Sequence, residues 1–219
     1  KMEALYLTTR PLAMDLQTPK KSLTEFAAVT ARTLNHLGEI VSRRKDVNDY
    51  ALYSSTIAGN TKRARPIKRR LFIQDAAEFR AKYEEFEHLL ESGKPSTGQI
   101  PSSSFDLVDS VVYTMQQSMG VGLDFLGEPN SSRKHVGNRF EELVRAVISK
   151  LNVTHEKIVF KIPYVEDGEE RTYSCETDMV LSAAAAVRSS PQSIHKDEIV
   201  ISLKTSSKDR MGKIFLDKL

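Results

Sequence analysis

Ile201-Ser202-Leu203-Lys204-Thr205-Ser206-Ser207-Lys208-Asp209-Arg210 ends a strand-like run, Asp197-Glu198-Ile199-Val200-Ile201, and passes into a polar, basic segment. Successive strand side chains point to opposite faces. Ser202 and Lys204 therefore share one face and Leu203 takes the other. From Thr205 the spacing becomes helical, with Met211, Ile214 and Phe215. Upstream, residues 171–182 read as a strand on which Glu176, Asp178 and Val180 share a face. Antiparallel pairing of these two strands would bring Asp178 and Lys204 together at one end of a sheet. Further upstream, residues 157–164 alternate Ile158, Phe160 and Ile162, the pattern of a half-buried strand. Asp167-Gly168 then supplies a hairpin turn. Residues 138–151 read as a helix with Phe140, Leu143, Val144, Val147 and Leu151 inward and Glu141 in its first turn.

The order helix with acid, hairpin, strand with acid, strand ending in lysine, helix has a chemical use. Mg²⁺ is held by one or two carboxylates plus waters and phosphate oxygens. Asp178 is the first expected ligand and Glu141 a supporting acid. Lys204 offers a compact positive charge that orients a water or offsets developing negative charge. Each residue also has a plainer reading. Strand Asp and Lys residues are common, and Glu141-Glu142 near a helix start suits the helix dipole. It is their order along the chain that points to metal-assisted cleavage of a phosphodiester.

Composition permits this reading without arguing for it. The chain has 219 residues, enough for one large domain or a domain with an extension. A net charge of +3 is compatible with nucleic-acid binding, so the local distribution of charge must decide. Cys175 is the single cysteine, which excludes an intrachain disulfide and fits a reducing, cytoplasmic setting. The five histidines are scattered and give no structural zinc spacing. No apolar run approaches the roughly 18 residues of a membrane span. The chain begins at Lys1 and stops inside a helix-like run, as expected of a piece of a longer polypeptide.

The first 130 residues read as mainly helical. Residues 22–44 carry Leu23, Phe26, Ala27, Leu34, Leu37, Ile40 and Val41 at helical spacing, with Ser22 and Glu25 as a capping box. Residues 75–91 carry an Asp75 cap and a Phe79, Tyr83, Phe86, Leu90 stripe. Residues 105–119 form a third helix, and residues 120–134 a turn-rich link. Between the first two helices, Lys62-Arg63-Ala64-Arg65-Pro66-Ile67-Lys68-Arg69-Arg70 reads as a basic connector suited to a phosphate backbone. The serines and cations of Asn130-Ser131-Ser132-Arg133-Lys134-His135 suit the same contacts from a loop.

Residues 131–219 resemble the PD-(D/E)XK nuclease superfamily, and within it the type II restriction endonucleases that recognise CCGG, CCNGG or CCWGG cores. Members of that group carry a strand ending in Lys-Thr-Ser, a variable residue, then Arg-(Asp/Glu)-Arg. Here the run is Lys204-Thr205-Ser206-Ser207-Lys208-Asp209-Arg210, and Phe140-Glu141-Glu142 matches the group's helix start. The superfamily's usual second acid is Ser202 here. The group takes a carboxylate from the following helix instead, about thirteen residues beyond the lysine, which falls on Asp217.

The resemblance implies an α+β fold: a mixed central sheet flanked by helices, behind a helical N-terminal part, with a further strand beyond the Thr205 helix. It implies a prokaryotic restriction-modification enzyme that hydrolyses double-stranded DNA with Mg²⁺. Asp178, Lys204, Glu141 and Asp217 would be its catalytic residues, with Asp178, Asp217 and Glu141 on the metal. Lys208 and Arg210 would donate to guanine and Asp209 would accept from cytosine, while Ser132, Arg133 and Lys134 would touch phosphates. Lys208 replaces an arginine and lacks its bidentate fork. Cutting both strands of a palindrome implies a homodimer, or a tetramer built from one. A repair, junction or transposition nuclease, or an inactive DNA-binding module, would carry the same framework.

Overall fold

The structure is a computed structural model that describes residues 11–57, 60–92, 104–126 and 129–203. The chain divides into two compact units, Lys1–Val147 and Ile148–Leu219. The division falls within the helix Pro129–Lys150.

The first unit opens with α1 (Leu12–Gln17) and α2 (Leu23–Asn35). Ser22 caps α2 by accepting the Glu25 N–H at 3.3 Å, and the Glu25 carboxylate takes the Lys21 N–H at 2.6 Å. Phe26, Ala27 and Leu34 are buried as the periodicity required. The helix expected to reach residue 44 stops at Asn35. A single turn, α3 (Leu37–Ile40), follows, and then three strands: β1 (Arg43–Val47), β2 (Tyr50–Ile57) and β3 (Asn60–Lys68). They form an antiparallel sheet in the order β1-β2-β3. The basic connector is thus a strand. Pro66 is tolerated because β3 is an edge strand, where a missing N–H costs no ladder bond.

Helix α4 (Ala76–Ser92) starts where Asp75 accepts the Glu78 N–H at 2.7 Å. Phe79, Tyr83, Phe86 and Leu90 are buried along one side. Helix α5 (Phe105–Leu126) packs against α1, α2 and α4, and against β2 and β3. Over the range 120–134, where a turn-rich link is expected, the described residues are helical. α5 runs through its first part, and α6 (Pro129–Lys150) starts with proline at the first helical position. Gly120 and Gly122 are there for close approach. A Cβ on Gly120 would lie 2.4 Å from the Arg65 guanidinium, and one on Gly122 would lie 2.4 Å from Leu16 Cδ1.

In the second unit, β4 (Thr154–Glu156), β7 (Met179–Ser182) and β8 (Ile199–Ile201) form an antiparallel sheet in the order β4-β7-β8. β5 (Val159–Glu166) and β6 (Glu169–Glu176) form a separate hairpin. Its turn is Asp167-Gly168, with φ of 56° and 78°, the left-handed pair that a two-residue type I′ turn requires. Ile158 and Phe160 pack with Val180 into a small core, but Ile162 lies farther along the hairpin and is exposed.

The single strand expected over residues 171–182 is two strands. Thr177 breaks it: its N–H and hydroxyl both donate to the Ile158 carbonyl, at 3.1 and 2.8 Å. Glu176 and Asp178 therefore do not share a strand face. The fold class is α+β. Among the described residues the strands make three small antiparallel sheets rather than one mixed sheet. No helix among these residues is long and apolar enough to cross a membrane.

Candidate active site

Asp178 occupies the bend between β6 and β7, half-buried. The β7–β8 ladder pairs Met179 with Ile201, Val180 with Val200 and Leu181 with Ile199. One step beyond the ladder, Asp178 meets the segment leaving β8. Its N–H donates to the Ile201 carbonyl at 3.2 Å. Its Oδ2 accepts the Leu203 N–H at 2.5 Å and the Ser202 hydroxyl at 3.4 Å. The antiparallel pairing expected from the sequence is therefore present. It fixes the Asp178 carboxylate on the backbone directly before Lys204. Ser202, standing where an acid is usual in the resembling superfamily, is exposed and donates to the aspartate instead. Lys204, Lys208, Asp209, Arg210 and Asp217 lie outside the described residues.

A residue not singled out from sequence holds the other end of β8. Glu198 is buried ahead of the strand. Its Oε1 accepts the Arg188 N–H at 2.6 Å, and its Oε2 accepts the Ser189 N–H at 2.9 Å and the Ser189 hydroxyl at 2.6 Å. Burial pushes the carboxyl pKa up, but the Ser189 hydroxyl, the Arg188 and Ser189 amides and the Ser182 hydroxyl outweigh it and hold the pKa at about 2. One anion thus ties the loop after β7 to the start of β8. No local pattern in the sequence marks this role, because the groups it binds lie about ten residues upstream.

Glu141 sits in the first unit, mid-helix in α6 and half-buried, not in a first turn, because the helix begins at Pro129. Its neighbour Glu142 has a structural task. It accepts the Lys20 N–H at 2.8 Å and pairs with Arg139 at 2.5 Å, while Arg139 donates to the Gln17 carbonyl at 2.7 Å. Together these tie α6 to the turn after α1. Ser132 is likewise helical rather than in a loop. It is 1% exposed and accepts from Arg63, so its hydroxyl meets a guanidinium and not solvent. Arg133 and Lys134 are exposed on α6.

The basic cluster is sorted by the sheet. Arg63 and Arg65 turn towards α5, where Asp124 takes Arg63 at 2.9 Å and Arg65 at 2.7 and 2.9 Å; Gln117 takes Arg65 at 3.0 Å. Arg69 and Arg70 pair with Asp46 and Asp106. The reading of this run as a continuous phosphate-tracking connector is overturned for Arg63 and Arg65. A strand's alternation sends them to the inner face, and the acid they meet, Asp124, is remote in sequence. The two glycines in the apolar run of α5 were the available signal that something packs closely there.

Could Asp178 hold Mg²⁺? A carboxylate offers about four lone-pair sites, so binding Leu203 and Ser202 is compatible with ligation. One or two carboxylates suffice for this ion. Among the described residues no cluster of three or more His, Cys, Asp or Glu side chains forms a complete cage. A site on Asp178 would therefore be of the open kind, completed by water and phosphate.

No family model and no curated protein matches this chain. Comparison with solved structures identifies the architecture as a restriction-endonuclease-like fold. The crystal structure of the Type IIP restriction endonuclease Kpn2I superposes with a TM-score of 0.56 at 18% identity, over 89% of this chain. The match spans 62% of the Kpn2I chain, and at that identity it is the fold that the two share.

Proposed function

We propose that the chain is a type II restriction endonuclease, hydrolysing phosphodiester bonds of double-stranded DNA at a specific sequence with Mg²⁺. The observation that carries this is the β7–β8 register, which sets the Asp178 carboxylate on Leu203 N at the strand end preceding Lys204. The restriction-endonuclease-like fold supports it.

In this reading Asp178 is the principal metal ligand, with Glu141 and Asp217 as supporting acids. Bound there, Mg²⁺ would supply an activated water and charge neutralisation at the phosphate. Lys204 holds a fixed positive charge at the scissile group and orients the attacking water. Lys208 and Arg210 donate to guanine edges and Asp209 accepts from cytosine. Arg133 and Lys134, exposed on α6, contact phosphates without reading sequence. A two-fold dimer places two such sites on the two strands of a palindrome.

The test is cleavage of plasmid and phage DNA by the full-length protein with Mg²⁺ or EDTA, followed by sequencing of fragment ends. Discrete Mg²⁺-dependent fragments with a common end sequence, lost in Lys204→Ala, are expected. Tight DNA binding with no cleavage under any metal would replace this reading with a binding module. Cleavage at branched structures regardless of sequence would replace it with a repair or junction nuclease.

A further inference from the structure

The β1–β3 sheet has two chemically distinct faces. Directly opposed residues of an antiparallel pair project to the same side. The register Arg44↔Tyr53↔Arg65 and Asp46↔Ala51↔Ile67 defines the inner face, where Ala51, Tyr53 and Ile67 are buried. The single carboxylate of β1, Asp46, belongs to that face and is bound by Arg44 at 2.8 Å. The register Lys45↔Leu52↔Pro66 and Val47↔Tyr50↔Lys68 defines the outer face, with Arg43 one row further along. On this face Arg43, Lys45, Val47, Tyr50 and Pro66 are exposed, Leu52 and Lys68 are half-buried, and Ser54, opposite Arg43, is buried.

The outer face therefore carries Arg43, Lys45 and Lys68, and its strands contribute no acid to it. The acids of the β1–β2 hairpin are Asp46, on the opposite face, and Asp49, in the turn. Arg43, Lys45 and Lys68 make no ion pair among the described residues. Where Arg63 and Arg65 share Asp124 and Arg44 pairs with Asp46, these three cations have no acid among the described residues. β1 is also an edge strand, and charge on such an edge discourages pairing with another strand.

We propose that the outer face of this sheet is a docking surface for the phosphate backbone of double-stranded DNA, held by Arg43, Lys45 and Lys68. The argument is charge complementarity: unpaired cations on the two edge strands, β1 and β3, spaced by the apolar side chains of Val47, Tyr50, Leu52 and Pro66 and free of strand acids, match a polyanion. This rests on the proposed function, since it names a further contact of the same substrate. It also reassigns the basic cluster: Lys68 serves DNA while Arg63 and Arg65 serve the fold.

The experiment compares the full-length protein with the triple variant Arg43→Ala/Lys45→Ala/Lys68→Ala, and with Lys82→Ala on α4 as a control. Fluorescence anisotropy reports binding to a duplex carrying the cleavage site, in EDTA, from 0.05 to 0.5 M salt, with light scattering for mass and a thermal melt for folding. Each phosphate contact contributes about 0.9 to the slope of log K against log salt. The triple variant should lose about 2.7 of that slope, a weakening of up to about 500-fold at 0.1 M salt. Lys82→Ala should match the parent, and fragment ends should be unchanged. An unchanged slope, with the parent binding DNA normally, overturns this proposal and leaves the nuclease reading standing. A parent that neither binds nor cuts DNA overturns both. A variant whose mass changes in the absence of DNA, with its salt slope intact, shows a protein interface instead.

Discussion

Replacing Asp178 separates the strand-capping role that the structure shows from the metal-binding role proposed for the same side chain. Its Oδ2 receives the Leu203 N–H at 2.5 Å, so it caps the departing β8 segment. If it also binds metal, the two roles respond differently to chemistry. Asp178→Asn keeps an oxygen for Leu203 and loses the charge. Hydrogen bonds to charged groups exceed neutral ones by about 1 kcal/mol, which for a chain of this size lowers Tm by about 2–4 °C. Asp178→Ala removes the acceptor as well. The orphaned N–H costs about 1–3 kcal/mol, and the half-buried setting places it at the low end of that range. Metal-assisted charge stabilisation is several kcal/mol, and about 4 kcal/mol corresponds to roughly a thousandfold in rate. Both variants should therefore lose plasmid cleavage by about three orders of magnitude, while their melting temperatures fall by only a few degrees. The assay is initial rates of supercoiled-plasmid cleavage across a Mg²⁺ titration, beside thermal melts of the same preparations. If Asp178→Asn cleaves within about threefold of the parent, Asp178 is a strand cap alone and the metal assignment is refuted.

Two further predictions concern the scaffold. Glu198 has a depressed pKa of about 2, so its contribution to stability is fully present above its ordinary value of 4.5 and is lost as pH falls from there through about 2. Protection factors for the amides of residues 188–201, taken against the intrinsic exchange rate at each pH, should fall over that window, and Glu198→Gln should show the loss already at neutral pH; protection indifferent to both would contradict the clasp. Asp124→Ala should destabilise the protein by about 2–4 kcal/mol, since it leaves Arg63 and Arg65 mostly buried without their acid. Urea unfolding measures this, and a loss below about 1 kcal/mol would mean the arginines find water or other partners.

The local signals in the sequence were read correctly where the free energy involved is itself local. Ser22 with Glu25 and Asp75 with Glu78 cap their helices because a side-chain oxygen reaches an N–H three residues away. Asp167-Gly168 makes its turn because both residues tolerate positive φ. The Phe79, Tyr83, Phe86, Leu90 stripe is buried because helical spacing alone puts these residues on one side. The sheet at residues 43–68 was missed, since Leu37 and Ile40 continue a helical period and nothing nearby announces the ladder that competes with it. Gly120 and Gly122 read as turn residues although they sit in a helix, because their partners, Arg65 and Leu16, are remote in sequence.

For the candidate site, the sequence by itself determined the residue types, their order and the antiparallel pairing that brings residue 178 to the end of β8. Side-chain alternation and turn chemistry suffice for that much. The tertiary structure decided that the chain breaks at Thr177, so that Asp178 faces Leu203 from a bend and not from a continuous strand. It also decided that Glu198 clasps the start of β8, that Glu142 anchors α6, and that Arg63 and Arg65 are consumed internally while Arg43, Lys45 and Lys68 lie on the opposite face of the sheet. Each of these depends on which distant group fills a hydrogen-bonding site or covers a face. That choice is made by packing, and the spacing of residues along a strand does not carry it.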